Sequence, residues 1–201
     1  MSSTDIVIKN NGTVIFNGFH GTCKKFFNLI KGRHFKICKN RLYLGIGTYF
    51  FIEGLQNPIE LAKSWAIQTV EEETKLLKTP VKDWVVIEAC IKSSSLLDLT
   101  TDEGSKVLAR AEEELYNSLG EDELSKEVDR FAFTVLALQE LKKDHDVIKS
   151  FLCIKTGIRK DKEKGKYFTS IIPNSTVITV TNPKKSIDKK TIKIKEEGKT
   201  L

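Results

Sequence analysis

The sequence predicts an α+β domain, because strand-like segments at both ends of the chain enclose a central stretch with helical periodicity. The first part contains short runs rich in β-branched and aromatic residues, and the last part returns to such runs. Between them, residues 102–119 and 121–143 carry apolar side chains at helical spacing, with acidic residues near the start of each segment. Strands and helices that are segregated along a chain are typical of the α+β class.

The predicted elements follow one another without an internal repeat or an obvious linker. The predicted strands are 6–8, 14–17, 42–51, 84–91, 96–99, 151–154 and 176–180. The predicted helices are 23–30, 57–77, 102–119 and 121–143. Asn57 can cap the second helix and Pro58 suits its first position, because proline needs no helical hydrogen bond there. Gly120 separates the last two helices.

Length and composition predict a cytoplasmic protein with a single core and no membrane partner. A chain of 201 residues with 40% hydrophobic and 30% charged residues fits one medium domain. No apolar run approaches the roughly 20 residues that span a bilayer, and residues 1–5 show no secretory signal. The four cysteines are scattered, which argues against zinc and fits free thiols in a reducing compartment.

Lysine-rich segments account for much of the formal net charge of +6. They lie at 159–166 and 184–199, and such runs are most often solvated loops or a floppy terminus. The alternative is attraction to a polyanion, which lysines supply without sequence specificity. No recognition-helix or aromatic RNA-platform pattern accompanies the lysines, so nucleic acid stays open as a substrate.

Three motifs in the first third of the chain carry a resemblance to a known family. They are Gly18-Phe19-His20-Gly21-Thr22, then Gly45-Ile46-Gly47-Thr48-Tyr49-Phe50-Phe51, then Ala62-Lys63-Ser64-Trp65-Ala66. Together they resemble the NAD-binding core of ADP-ribosyltransferases, in the poly(ADP-ribose)-polymerase-like branch with a His–Tyr–Glu triad. The glycine pair at 45 and 47 lacks the third glycine of a Rossmann fingerprint.

The resemblance implies a split two-sheet core with NAD as co-substrate. Residues 1–187 would form the catalytic domain, with a helical insertion at about 101–143, and residues 188–201 a basic C-terminal tail. His20 would bind a ribose hydroxyl while the fold holds its other nitrogen. Tyr49 would stack on the nicotinamide ring. The main chain of Gly21 would bind the amide group of nicotinamide. Thr22 would form a hydrogen bond near the ribose, and Trp65 would cover the second face of the nicotinamide ring.

Each of these residues also has a plain structural interpretation when it is considered alone. His20 could be a satisfied buried histidine, and Tyr49 and Trp65 could be core aromatics. The motifs favour the family interpretation because they occur together and in order. Arg33, His34 or Arg41 could meet the pyrophosphate, since arginine suits phosphate and the loop between the motifs lies over the donor in relatives.

The third member of the expected triad is missing. The strand at 175–181 ends in Asn182-Pro183, and alignment on that ending puts Val177 where the family carries glutamate. Valine cannot orient a ribose by hydrogen bonding, which argues against polymer formation. Two outcomes remain: transfer of a single ADP-ribose, or NAD binding without catalysis. Glu88 is a weaker substitute carboxylate, more simply explained as an outward residue of a half-buried strand. Asp98 is assigned to the architecture of the fold. The cluster 144–146 follows a predicted helix end and is assigned to capping or solvation.

The expected function is therefore mono-ADP-ribosyl transfer from NAD to a macromolecular acceptor, protein or nucleic acid, with release of nicotinamide. By resemblance, small members of this fold act as toxins or phage-defence effectors, which implies an antitoxin or regulator as a partner. Two alternatives stay open. One is a catalytically inactive NAD-binding module of the same fold, and the other is a basic nucleic-acid-binding protein.

Overall fold

The computed structural model describes residues 6–8, 12–38, 44–119, 134–135, 137–139, 145–153 and 174–200. Its strands are β1 Ile6–Ile8, β2 Val14–Cys23, β3 Thr48–Phe51, β4 Asp83–Ser93, β5 Leu96–Asp98, β6 Val147–Leu152, β7 Ser175–Val180 and β8 Lys193–Lys199. Its helices are α1 Phe27–Arg33, α2 Pro58–Leu77, α3 Asp102–Leu119 and α4 Pro183–Ser186, with 3-10 turns at Lys24–Phe26 and Lys189–Thr191. The α+β class is confirmed. None of the described helices is long and apolar enough to cross a membrane.

The described strands form one mixed sheet in the order β5-β6-β7-β3-β2-β4-β8, and β1 also pairs with β2. The β5–β6 pair is parallel and the other pairs are antiparallel. β2 and β3 are joined through a single residue pair, Phe19 with Phe51. The two expected sheets are therefore continuous here, because this one pair bridges them. The pairing between neighbouring strands is shortest at that junction.

Each face of the sheet carries its own apolar core, because successive strand residues point to opposite sides. On one face α2 packs on Phe19, Phe51 and Val86 through Ala62 and Ala66. The other face has a second cluster, which includes Phe16, Phe35, Phe50, Ile87 and Ile178. The junction between β2 and β3 therefore lies between two cores.

α2 begins as the sequence predicts. The side chain of Asn57 accepts hydrogen bonds from the amides of Ile59 and Glu60, and Pro58 opens the helix. These contacts satisfy amides that have no partner inside the helix. The predicted strands at 84–91 and 96–99 are confirmed as β4 and β5, with β4 longer at both ends.

Several local predictions need correction. The predicted strand 14–17 extends to Cys23 as β2, and the predicted strand 151–154 is β6, which begins earlier, at Val147, and ends at Leu152. Residues 42 and 43 of the expected strand 42–51 lie outside the described residues, and within 44–51 the strand begins only at Thr48. Gly45 has a φ of +70°, and Gly47 forms an isolated bridge with Cys38. The expected helix Cys23–Ile30 starts as the 3-10 turn Lys24–Phe26 and continues as α1 to Arg33.

The C-terminal lysine-rich segment is not a floppy tail, so that expectation is wrong for residues 193–199. They form β8, which pairs with β4 along Asp83–Glu88. β8 carries three lysines and two glutamates, and some of these charges are paired: Lys193 Nζ lies 3.4 Å from a Glu88 oxygen, and Glu197 accepts from Lys24. Charged side chains on an edge strand also discourage pairing with another chain.

Part of the expected helical insertion falls on described residues. α3 matches the predicted helix 102–119. The predicted helix 121–143 lies mostly outside the described residues, although 134–135 and 137–139 are helical. The lysine-rich segment 159–166 also lies outside them.

Candidate functional site

A cavity opens where β2 and β3 separate beyond the Phe19–Phe51 pair. Its volume is about 250 Å³ and its wall is mainly apolar. The structure places six of the residues that the sequence suggested for the site on this wall, namely His20, Gly21, Thr22, Tyr49, Trp65 and Val177. They come from β2, β3, α2 and β7, so the fold brings together motifs that are far apart in the sequence. Arg33 and His34, suggested for the pyrophosphate, do not line the cavity.

His20 is fixed in one orientation by its surroundings. Its ring lies between Phe35 and Phe50, with centroid distances of 5.3 and 5.6 Å. The Nδ1 atom is 2.9 Å from the main-chain oxygen of Tyr49. Because a carbonyl oxygen only accepts, Nδ1 carries the proton and donates it, which leaves Nε2 as the acceptor. Burial lowers the pKa of His20, and the hydrogen bond to Tyr49 opposes this only in part. The imidazole is therefore neutral at pH 7.

The neutral state of His20 predicts a pH dependence of stability. Its folded pKa lies below the ordinary value of 6.5, so the unfolded chain takes up the proton first as the pH falls. The free energy of unfolding should therefore decrease from about pH 6.5 down to the lower, folded pKa. Urea denaturation across this range should show a shallower decrease for His20→Ala than for the wild type. The pKa of His34 is also lowered, but His34 is present in both proteins, so its contribution to the pH dependence cancels in the comparison. Equal pH dependence of the two proteins would contradict a buried neutral His20.

The main chain of Gly21 points into the cavity. In an antiparallel sheet, the N–H and C=O of a residue point to the same edge, and alternate residues use opposite edges. The amide of Ile52 donates to Thr176 on β7, so Phe51 directs its amide and carbonyl toward β2. Phe19 pairs with Phe51, so the amide and carbonyl of Phe19 are directed toward β3. Gly21 lies two residues further along β2 and shares that edge, where β3 has already moved away.

Gly21 also has a packing reason to be glycine. A Cβ atom at this position would lie 1.8 Å from the carbonyl oxygen of Ala62 and 2.8 Å from the amide of Ala66. α2 therefore contacts β2 backbone to backbone at this point. Small residues at 62 and 66 on one helix face allow that approach. The close contact places α2, and with it Trp65, against the cavity.

Tyr49 and Trp65 reach the cavity from β3 and α2. Both are half-buried and pack against the core under α2. The Tyr49 hydroxyl donates to the carbonyl oxygen of Gly45 at 2.5 Å and accepts from the amide of Leu44 at 3.1 Å. The hydroxyl thus holds the loop before β3, while the ring remains part of the cavity wall.

Replacing Tyr49 with phenylalanine should separate these two roles. The variant loses both hydrogen bonds to the loop and keeps the aromatic ring. We expect the free energy of unfolding to fall by about 1–2 kcal/mol, since the Leu44 amide loses its partner. Thermal and chemical denaturation measure this change. Unaltered stability would show that the hydroxyl does not hold the loop.

The same loop is held from the other side by Gln139. Its Nε2 donates to the Ile46 carbonyl at 2.9 Å, and its Oε1 accepts from the Ile46 amide at 2.6 Å. Gly45 passes so close that a Cβ atom would lie 2.2 Å from Gln139 Oε1. At Gly47 a Cβ atom would lie 2.3 Å from a methyl carbon of Thr179 on β7. The glycines of this motif therefore serve a turn and a close packing, rather than a phosphate.

Sequence reasoning missed four residues at this site. Lys36, Cys38 and Thr69 line the cavity, and Gln139 holds its loop. Lys36 and Cys38 lie in the connection between the first two motifs, where the position beside the motifs was the available signal. Gln139 comes from the central helical region, and no local pattern links it to Ile46. Arg41 lies outside the described residues.

The cavity wall carries no carboxylate among the described residues that line it. Val177 is 1% exposed and contributes only a methyl surface. Glu88, expected to point outward, is instead 8% exposed and accepts a hydrogen bond from Asn17 at 3.1 Å. It is not part of this wall, so it does not replace the missing acid.

The other two acidic candidates are structural. Burial alone would raise the pKa of Asp146, but hydrogen bonds from Ser93, Ser94 and Ser95 outweigh it, and the pKa is lowered. Asp98 accepts from Thr100 and pairs with Lys149 at 2.9 Å. Both carboxylates tie β5 and β6 to neighbouring turns. This agrees with the assignment of Asp98 to architecture, whereas Asp146, expected to cap a helix end or to be solvated, is 7% exposed and bound by the β4–β5 turn.

Comparison of the chain with family models, curated proteins and solved structures returned no match. The functional assignment therefore depends on the geometry of the cavity and on the motifs that line it.

Proposed function

We propose that this protein is a mono-ADP-ribosyltransferase that uses NAD as the donor and binds its nicotinamide end in the cavity at the β2–β3 junction. The observation that supports the proposal is the convergence of His20, Gly21, Tyr49 and Trp65 on one cavity wall. Two aromatic side chains, an outward main-chain amide and carbonyl, and a fixed imidazole acceptor match the needs of a flat ring, a carboxamide and a ribose hydroxyl.

The proposed reaction exchanges one bond at the ribose carbon C1′. The bond from C1′ to the nicotinamide nitrogen breaks, and neutral nicotinamide leaves with the bonding electrons. A nucleophilic atom of the acceptor forms the new bond to C1′ and loses its proton to solvent. The protein contributes mainly by holding the donor in a reactive conformation. Nε2 of His20 accepts from a ribose hydroxyl, the Gly21 main chain binds the carboxamide, and the Tyr49 and Trp65 rings hold the leaving group.

Transfer of a single ADP-ribose is favoured over polymer formation. Lengthening a polymer requires a group that orients a ribose hydroxyl as the next nucleophile, and Val177 offers none. The same observation supports the second candidate function, a module that binds NAD without turnover. A toxin or phage-defence role remains an expectation from the resemblance alone.

Nicotinamide release from NAD tests the proposal. The purified chain is incubated with NAD labelled in the adenylate, alone and with a cell lysate treated with nuclease or with protease. The proposal expects nicotinamide release together with label on one class of macromolecule. Bound NAD without release would instead establish the inactive module. If the chain neither bound NAD nor released nicotinamide, both candidate functions would be refuted.

A further inference from the structure

Six basic side chains form a patch beside the site, here called the basic patch: Lys31, Arg33, Lys184, Lys185, Lys189 and Lys190. All six are exposed. They come from the end of α1, from α4 and from the 3-10 turn that follows it. The Lys189 Nζ atom donates to the Gly32 carbonyl at 2.7 Å, which brings the two stretches of chain together. The lowered pKa of His34, due to burial and then to Lys189 and Lys184, agrees with this proximity.

The basic patch differs from several lysines elsewhere on the described surface, which are paired with carboxylates. Lys24, Lys63 and Lys193 each lie within 3.4 Å of a glutamate oxygen. In the part of the chain that the structure describes, no carboxylate forms an ion pair with the patch. Asp188 lies within this segment, but its Oδ1 accepts from the Lys190 amide and caps the turn. Among the residues that the structure describes, the positive charge of the patch is therefore largely uncompensated.

The basic patch leads to the rim of the cavity. His34 follows Arg33 and has an unusual φ of +70°, which turns the chain out of α1. The next residue, Phe35, contacts the His20 ring edge-on at 5.3 Å. Lys36 is exposed and lines the cavity. Basic residues thus continue from the end of α1 to the cavity within a few residues of chain, and Lys189 joins α1 to the segment that includes α4.

We infer that the basic patch is a docking surface for the sugar–phosphate backbone of a nucleic acid, so that the acceptor presented to the cavity is a nucleic acid. The role of the nucleic acid as acceptor of ADP-ribose rests on the proposed function, whereas the docking of the nucleic acid does not. The two phosphates of a dinucleotide need fewer cations than these six. Exposed lysines suit a repeating polyanion, which they bind through charge and counterion release without sequence recognition.

Fluorescence anisotropy with labelled single-stranded RNA and DNA of about 20 nucleotides tests the docking without NAD. The patch variant combines Lys31→Glu, Lys184→Glu, Lys185→Glu and Lys190→Glu, and leaves Lys189 bonded to Gly32. The control combines four changes at exposed basic positions elsewhere: Lys75→Glu, Lys82→Glu, Lys106→Glu and Arg110→Glu. Both variants have the same net charge, so a difference in nucleic-acid affinity between them reflects where the substituted residues lie.

The expected result is a loss of affinity of at least about tenfold for the patch variant, with the salt slope reduced by about 3. The control should keep affinity within about threefold, and NAD affinity should be the same in all three proteins. Absence of binding by the wild type, or equal losses in both variants, would overturn the inference. A loss of NAD affinity with nucleic-acid affinity retained would also overturn it and would assign the patch to the donor diphosphate. Nicotinamide release is measured on the wild-type chain without these substitutions, so this test and that of the proposed function can fail separately.

Discussion

Replacing His20 with alanine is expected to reduce nicotinamide release from NAD by at least about 100-fold, because the ribose loses the group that fixes its orientation. The imidazole is held by Phe35, Phe50 and the Tyr49 carbonyl, so Nε2 has a defined position in the cavity wall. Most other contacts of the fold are independent of this ring. The variant should therefore still fold, as circular dichroism and a cooperative unfolding transition would show.

A second histidine provides the matched control. His145 precedes β6, and its Nδ1 lies 3.3 Å from the hydroxyl of Ser95, away from the cavity wall. His145→Ala should leave the rate of nicotinamide release unchanged. His20→Asn, whose amide can still donate to the Tyr49 carbonyl, should be as inactive as His20→Ala while retaining more stability. Full activity of a folded His20→Ala protein would refute the assignment of this residue.

Replacing Gly21 with alanine should destabilise the protein by about 3 kcal/mol or more, at the upper end of overpacking effects. The added methyl group would lie 1.8 Å from the Ala62 carbonyl oxygen, and a backbone atom cannot move aside as a flexible side chain can. α2 would have to shift away from β2, which would widen the cavity at Trp65. Denaturation measures the loss of stability, and NAD titration measures the effect on the cavity.

Gly32 in α1 is the control for this substitution. A Cβ atom at Gly32 would meet nothing within 4 Å. Gly32→Ala should therefore stabilise the protein by up to about 1 kcal/mol, since alanine is the better helix former. If both alanine variants had wild-type stability, the close contact between β2 and α2 would be contradicted.

Local sequence signals predicted a good part of the fold. Asn57 and Pro58 located the start of α2 because capping depends on neighbouring residues alone. The run Trp-Val-Val-Ile at 84–87 predicted β4 through β-propensity. The α+β class followed from the order of such segments. The motifs also selected side chains that share one cavity, although their roles there remain predictions.

Features that depend on distant contacts could not be predicted in this way. Residues 193–199 have the composition of a solvated tail. They form a strand because their main chain pairs with the outer edge of β4. The contact of Gln139 with Ile46 joins residues that no local pattern connects. Glu88 is buried because Asn17 and the lysines of β8 compensate it, and this depends on the register of three strands. Such pairings are properties of the tertiary fold.

Titration calorimetry of NAD into the wild-type protein and Tyr49→Ala tests the central claim most directly. The claim is that the cavity at the β2–β3 junction binds the nicotinamide end of NAD. It predicts one site per chain for the wild type and an affinity at least about tenfold weaker for the variant, because a stacked ring is lost. ADP-ribose, which lacks nicotinamide, should bind both proteins with similar affinity. No heat of binding for NAD, or equal NAD affinity in both folded proteins, would contradict the claim.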